Sequence, residues 1–394
     1  VASCVPGSEQ IDRNKEIDDF LNDIEEENKN DGPIIYSASW ISSNFITYDS
    51  QKVIADYGTR YTLKSLERAR EASAFDDVST SAENRRMLNI LKSSFVMPPP
   101  LNKELASELS SITTSLEAMY GSGEHCYEDG SCYDLEAFES IIDNSRDPEE
   151  LLKAWQGWHE IGKPMKPMYM RMVDIGNQGS KDLGYQGLSD LWFSKYDMPA
   201  DEFLNETDRV WEEVKPLYEA LHCHVRAKLN EHYGDDVVSE SGSLPVHLLG
   251  NMWGQSWSNI YDLVYTEESQ QNSVDVTKII EEKGLNEIEM VEYAEDFFLS
   301  IGFDPLPDTF WERSLFVKPR DRSVVCHASA WNLDPANNDL RIKMCIEKNE
   351  EDFVTIHHEL GHIFYYQAYN HLPTLFQGGA NDGFHEAFGD LLTL

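Results

Sequence analysis

His358, Glu359 and His362 stand in the order His-Glu-Leu-Gly-His, a spacing suited to hydrolysis at a metal ion. On an α-helix, residues four apart share a face about 6 Å apart along the axis, so both imidazoles can converge on one ion. Glu359 is turned enough to miss the ion yet reach a water beside it, the position of a general base. The pentapeptide alone can arise by chance, but the residues C-terminal to it strengthen the reading. Gly378-Gly-Ala-Asn-Asp-Gly383 leads into a second helical start, His385-Glu386-Ala-Phe-Gly-Asp390. Glu386 and Asp390 are four apart and offer a third ligand and a carboxylate to orient a ligating histidine. Two imidazoles and one carboxylate leave a fourth zinc position open, the catalytic and not the structural arrangement. His357, His371 and His385 read as packing or exposed residues, because a helix points neighbours in different directions. Trp253, Trp257, Phe364 and Tyr365 read as core.

The elements that must hold this constellation are helices. Asn349 is a good N-cap with acidic residues in the turn after it, which predicts a helix ending before Pro373. Ile11, Ile17, Phe20, Leu21 and Ile24 recur at helical spacing, and Asp31-Gly32-Pro33 predicts a stop. Residues 60–92, Pro148 to Met172 and Asp201 to Tyr233 also read as helical. Strand signals are scarce: Arg322-Ser-Val-Val-Cys326 and Asp339 to Cys345 suggest a hairpin whose ends a disulfide could bridge. Met97-Pro-Pro-Pro100 reads as a rigid connector and not a domain boundary. The expected fold class is mainly α, with residues 1–394 in one domain.

The chain has 394 residues, enough for a large core, and 41% are hydrophobic. Its net charge of −39 would repel a nucleic-acid backbone and disfavours an anionic membrane surface. No apolar run is long enough to span a bilayer. The start, Val-Ala-Ser-Cys, fits a mature secreted protein after signal removal, although a trimmed chain would read the same. Cys126 and Cys132 flank a turn-like Tyr-Glu-Asp-Gly-Ser that a disulfide could close, and Asn205-Glu-Thr207 is a glycosylation sequon. Together these favour an oxidising, extracellular location.

The zinc motif followed by Gly379-Ala-Asn-Asp-Gly-Phe-His-Glu-Ala-Phe-Gly-Asp390 resembles the angiotensin-converting enzyme family of zinc peptidyl dipeptidases. The 24-residue step from His362 to Glu386 suits that family better than the shorter step of thermolysin-like enzymes. His247-Leu-Leu-Gly-Asn-Met-Trp-Gly-Gln-Ser-Trp-Ser-Asn-Ile-Tyr-Asp-Leu263, Cys326-His-Ala-Ser-Ala-Trp331 and Ala154-Trp-Gln-Gly-Trp158 agree, and the resemblance runs from about Phe20 to Leu394. It implies a large helical zinc-peptidase domain of two subdomains around a deep central cleft, with a small β-hairpin near the active site. The implied member is a single-domain, secreted, invertebrate-like one. His358, His362 and Glu386 would bind zinc, Glu359 would be the base, and Asp390 would hydrogen-bond a zinc-bound histidine. His327 and Ala328 would line the peptide backbone. Asp352, Val354 and Thr355 match specificity-pocket positions, Thr355 departing toward polarity. Cys126–Cys132 and Cys326–Cys345 match family disulfides, whereas Cys4 and Cys223 have no counterpart.

Gln255 matches a glutamine that helps hold the substrate's C-terminal carboxylate. The family's monocarboxypeptidase homologue has arginine there, so Gln255 implies a deeper subsite and release of a dipeptide from oligopeptides with a free C-terminus. Phe193 stands where a chloride-binding arginine sits in the mammalian enzymes, which implies that this chloride site is lost. Tyr233 matches a second chloride site. Leu394 falls four residues after Asp390, so the domain is expected to be incomplete at its C-terminus. The lysine partner of the substrate carboxylate, and the tyrosine and histidine that stabilise the oxyanion, would then lie outside. Each such donor is typically worth about 10²–10³ in rate. Two alternatives stand beside the peptidyl dipeptidase: a zinc endopeptidase of broader specificity, and a truncated, non-catalytic peptide-binding homologue.

Overall fold

Helical periodicity carries through to the three-dimensional structure. The computed structural model describes residues 8–121, 123–266, 274–322, 324 and 326–393. Among these, the chain is mainly α-helical with two small antiparallel hairpins. Cys4 lies outside the described residues, and Cys223 is exposed. Two compact units form: Val1–Phe95, Ser194–Asp197 and Val274–Leu394 make the first, and Val96–Phe193 with Met198–Ser273 the second. Met97-Pro-Pro-Pro100 therefore begins the second unit, where a connector away from any boundary was expected.

The first unit opens with α1 (Ser8–Asn44), α2 (Tyr48–Ser73) and α3 (Ala82–Ser93). The predicted stop at Asp31-Gly32-Pro33 does not occur, because α1 continues through Pro33. An interior proline costs about 3 kcal/mol. Each large apolar side chain buried beyond it returns about 1.5–3 kcal/mol, and Ile35 and Trp40 are both buried. Trp40 also packs edge-on against Trp331, with ring centroids 5.5 Å apart. Tertiary packing thus overrides the local break.

In the second unit the helices are α4 (Lys103–Gly121), α5 (Leu135–Asn144), α6 (Pro148–Gly162), α7 (Met165–Asp182), α8 (Leu188–Phe193), α9 (Ala200–Tyr233) and α10 (Tyr261–Val264). The helix expected over Pro148 to Met172 is two helices, since α6 ends at Gly162 just before Pro164. β1 (Glu124–Cys126) and β2 (Cys132–Asp134) pair around the Cys126–Cys132 disulfide. Phe138, Ala154, Trp158 and Met252 share the core, and Trp155 Nε1 donates to the Met252 carbonyl at 3.0 Å. Two of the sequence blocks that carry the resemblance are therefore packed on each other.

The chain then re-enters the first unit with α11 (Val276–Lys283), α12 (Glu287–Ser300) and α13 (Asp308–Arg313). A hairpin of β3 (Ser329–Asp334) and β4 (Asp339–Lys343) comes next, then α14 (Glu350–Tyr369) and α15 (Asp382–Leu391). The expected hairpin exists, but its first strand is Ser329–Asp334 and not Arg322–Cys326. Arg322 is used elsewhere: its Nε donates to the Asn44 carbonyl at 2.9 Å and its guanidinium sits 4.3 Å from the Phe45 ring centre. Ser323 and Val325 lie outside the described residues. The Cys326–Cys345 disulfide is present despite the shift of strand.

α14 forms as its sequence dictates. The Asn349 side chain accepts from the Asp352 N–H at 2.8 Å, and Glu350, Glu351 and Asp352 complement the positive end of the helix dipole. Ile356, Leu360, Ile363 and Phe364 recur every three to four residues and are fully buried. They pack against Met290, Val291, Ala294 and Phe298 of α12, where Phe298 and Phe364 stack at 4.3 Å. This buried stripe fixes the rotation of α14 and therefore where its histidines point.

Candidate metal centre

Two helices build the site. α14 carries His358, Glu359 and His362, and α15 carries His385, Glu386 and Asp390. Their close approach depends on glycine: a side-chain carbon on Gly361 would stand 3.0 Å from Gly389 Cα. Nε2 of His358 and Nε2 of His362 lie 3.1 Å apart. A Glu386 carboxylate oxygen is 3.3 Å from the first and the other oxygen 3.8 Å from the second. One donor atom from each of the three falls within 4.8 Å of the others. Such separations suit three donors around a small ion held at about 2.0–2.2 Å from each. Two nitrogens and one carboxylate oxygen form a donor set that zinc accepts. The other cluster with ligand chemistry among the described residues, Glu124 with Cys126 and Cys132, has its sulfurs committed to a disulfide.

The outward nitrogens of both histidines also have partners. His358 Nδ1 lies 3.0 Å from Asp390 Oδ1. His362 Nδ1 lies 3.1 Å from His385 Nδ1, and His385 Nε2 lies 2.9 Å from the Tyr369 hydroxyl. Burial, reinforced by the His362 charge, lowers the His385 pKa to about 4. His385 was expected only to pack or face solvent. The spacing that could have flagged it is its place directly before Glu386, but adjacency on a helix does not reveal a contact across two helices.

Glu359 is 6% exposed. Burial pushes its carboxyl up to about 7, with His358, His327 and Lys343 working against the shift and Glu386 adding to it. A carboxyl that titrates near neutrality can take a proton and give it back. Lys343, which the sequence did not single out, is 2% exposed, and its Nζ donates to the His327 carbonyl at 2.8 Å. Burial lowers its pKa, against the pull of Glu359. His327 is exposed and Ala328 half-buried, at the edge of the core that includes β4.

The other residues singled out in the sequence are spread over both units. Asp352 Oδ2 accepts from the Glu347 N–H at 2.5 Å, and burial raises its pKa. Val354 is exposed, and the Thr355 hydroxyl donates to the Glu351 carbonyl at 2.9 Å. His357 packs beside Phe297 and Phe353, with Nδ1 on the Phe353 carbonyl at 2.8 Å, and His371 is exposed. In the second unit, Gln255 is exposed in an irregular stretch after the Asn251 turn. Phe193 packs on Phe203 with ring centroids 5.6 Å apart. Tyr233 is half-buried, which raises its pKa against the opposing Arg146 charge. Asn205 is exposed on α9. No described helix is long and apolar enough to cross a membrane.

Beside the site, within the first unit, lies a cavity of about 810 Å³ whose lining includes Tyr36, Tyr61, Trp331, Asn332, Tyr366 and Tyr369.

Comparison with known proteins agrees with this geometry. A peptidase M2 family model, described as angiotensin-converting enzyme, matches residues 11–394. The chain is 38% identical over 361 residues to angiotensin-converting enzyme of Bos taurus, covering 91% of this chain and 27% of that protein. It is 38% identical over 365 residues to the Mus musculus enzyme, with the same coverage. With angiotensin-converting enzyme of Haematobia irritans exigua it shares 34% identity over 383 residues, covering 95% of this chain and 62% of that protein. The chain thus spans about a quarter of the length of the mammalian relatives. Helical architecture, a His-His-Glu cluster on two facing helices and a family match across nearly its whole length make this chain a member of the angiotensin-converting enzyme family of metallopeptidases.

Proposed function

We propose that this chain carries the metal-binding and base-bearing part of a secreted zinc peptidyl dipeptidase, which releases C-terminal dipeptides from oligopeptides. The observation that carries the proposal is the convergence of His358 Nε2, His362 Nε2 and the Glu386 carboxylate, with the buried Glu359 on the same helix. His358, His362 and Glu386 would hold a zinc ion, which would supply Lewis-acid polarisation of a carbonyl and a more acidic water. Glu359 takes the proton from the attacking water and returns it to the leaving amine, for which a pKa near neutrality is suited. Asp390 holds the orientation of His358. His327 and Ala328 line the peptide backbone, with Lys343 tethering that segment through the His327 carbonyl. Asp352, Val354 and Thr355 belong to the specificity pocket, and Gln255 holds the substrate's C-terminal carboxylate. The aromatic and amide groups of the neighbouring cavity suit an oligopeptide chain. Two disulfides and an exposed sequon asparagine support the extracellular setting. Phe193, with its ring against Phe203, has no group to hold a chloride ion, which leaves the Tyr233 position as the one to test for chloride.

Glu359→Gln tests the mechanism. Zinc should remain bound while hydrolysis falls by about 10²–10⁴, and near-normal turnover would sink the assignment. Amidating the C-terminus of a substrate separates the two peptidase readings. A peptidyl dipeptidase loses most of its activity on the amide, whereas an endopeptidase keeps it.

A further inference from the structure

We propose that His385 is a positioning residue of the metal centre, the outer partner that orients His362 as Asp390 orients His358; the inference rests on the zinc-site proposal. Both ligand histidines direct Nε2 to one point, with those nitrogens 3.1 Å apart. That leaves each Nδ1 facing outward. A histidine that gives Nε2 to a metal carries its proton on Nδ1 and needs an acceptor for it. For His358 the acceptor is the Asp390 carboxylate at 3.0 Å. For His362 the group in place is His385 Nδ1 at 3.1 Å. His385 must then accept at Nδ1, which puts its own proton on Nε2, where it donates to the Tyr369 hydroxyl oxygen at 2.9 Å. The Nδ1–H of His362 and the Nε2–H of His385 then each meet an acceptor.

The packing holds this arrangement in place. The His385 ring lies 4.6 Å from the Tyr365 ring and 4.9 Å from the Tyr366 ring, centroid to centroid, between two side chains of α14. α15 thus supplies one ligand, Glu386, and both outer partners, His385 and Asp390. The two partners differ in chemistry. An anionic acceptor makes the His358 imidazole a stronger base toward the metal, whereas the neutral acceptor mainly fixes the tautomer and ring angle of His362.

The test uses the 394-residue chain, with zinc affinity read by competition against a chelator and the visible spectrum read after cobalt substitution. His385→Leu should bind zinc about 10- to 100-fold more weakly, change the cobalt bands and leave the melting temperature of the metal-free protein within a few degrees. His385→Gln, whose amide oxygen can accept from Nδ1–H, should recover much of that loss. A leucine variant that binds zinc as tightly as the parent, with unchanged cobalt bands, overturns the proposal. If the leucine variant does not fold, Tyr369→Phe decides: altered cobalt bands are expected and identical ones overturn it. A parent chain that binds no zinc overturns the metal-site proposal and this inference with it. Absent hydrolysis by a zinc-loaded parent touches only the proposed activity.

Discussion

Gly389 faces the imidazole of His358, and a side-chain carbon placed on it would stand 2.8 Å from Nδ1 and 2.9 Å from Cε1. The contact is as much a part of the site as the ligands are, because it sets how closely α15 approaches α14. Alanine favours a helix interior over glycine by about 1 kcal/mol, so local propensity and the site make opposite demands at this residue. We predict that Gly389→Ala lowers the stability of the metal-free chain by no more than about 1–3 kcal/mol, since helix propensity offsets part of the overpacking, but weakens zinc binding tenfold or more. Zinc titration against a chelator, alongside a thermal melt, separates the two effects. Unaltered zinc affinity would show that the helices can move apart at no cost.

Asp390 tests the same helix pair from the side of charge. Asp390→Ala removes the acceptor at His358 Nδ1 and should weaken zinc binding about 10- to 100-fold. Asp390→Asn keeps an oxygen that can accept but not the charge, so its loss should be smaller. Equal losses for both variants would mean that charge alone matters. No loss in either would remove Asp390 from the site.

A pH dependence of stability is expected from Asp339 at the start of β4. Burial raises its pKa, but hydrogen bonds and charge from Arg341 and Arg313 outweigh burial and hold it below the usual carboxylate range. A carboxyl depressed in the folded state contributes stability above its unfolded pKa, and that contribution is lost as pH falls through the folded value. Asp339→Asn should therefore be less stable than the parent at pH 7, by about 2 kcal/mol. The gap should close as pH falls below about 4. Urea midpoints at pH 7 and pH 3 measure it, and a gap that does not change with pH would count against the ion pairs.

Pro33 gives a prediction of the opposite sign. It interrupts the hydrogen-bond ladder of α1 without ending the helix. Pro33→Ala restores one backbone donor and removes the ring clash, so it should raise stability by about 1 kcal/mol or more. A higher denaturation midpoint is the expected result. A lower one would mean that the proline is needed for the packing of Trp40 on Trp331.

The sequence by itself determined where most of the helices lie and which residues are candidate metal ligands, the histidine pair because a spacing of four is local. A ligand pair four apart is a property of one turn of helix, and the N-cap at Asn349 with the buried stripe from Ile356 to Phe364 specifies that helix and its orientation. Cys326 and Cys345 were likewise legible as a pair, even though the strand beside them was misplaced. Only the tertiary structure decided what happens between elements. It carried α1 through Pro33 because burial on the far side outweighs a local break. It moved the first hairpin strand to Ser329–Asp334, leaving Arg322 to cap α1. It brought Gly389 against His358, His385 against His362, and Lys343 beneath the His327 carbonyl. These contacts join residues of different elements or strands, and hydrophobic periodicity has no term for such distances. The candidate ligands are therefore written in the sequence, while the groups that face their outer nitrogens come from the packing of one helix on another.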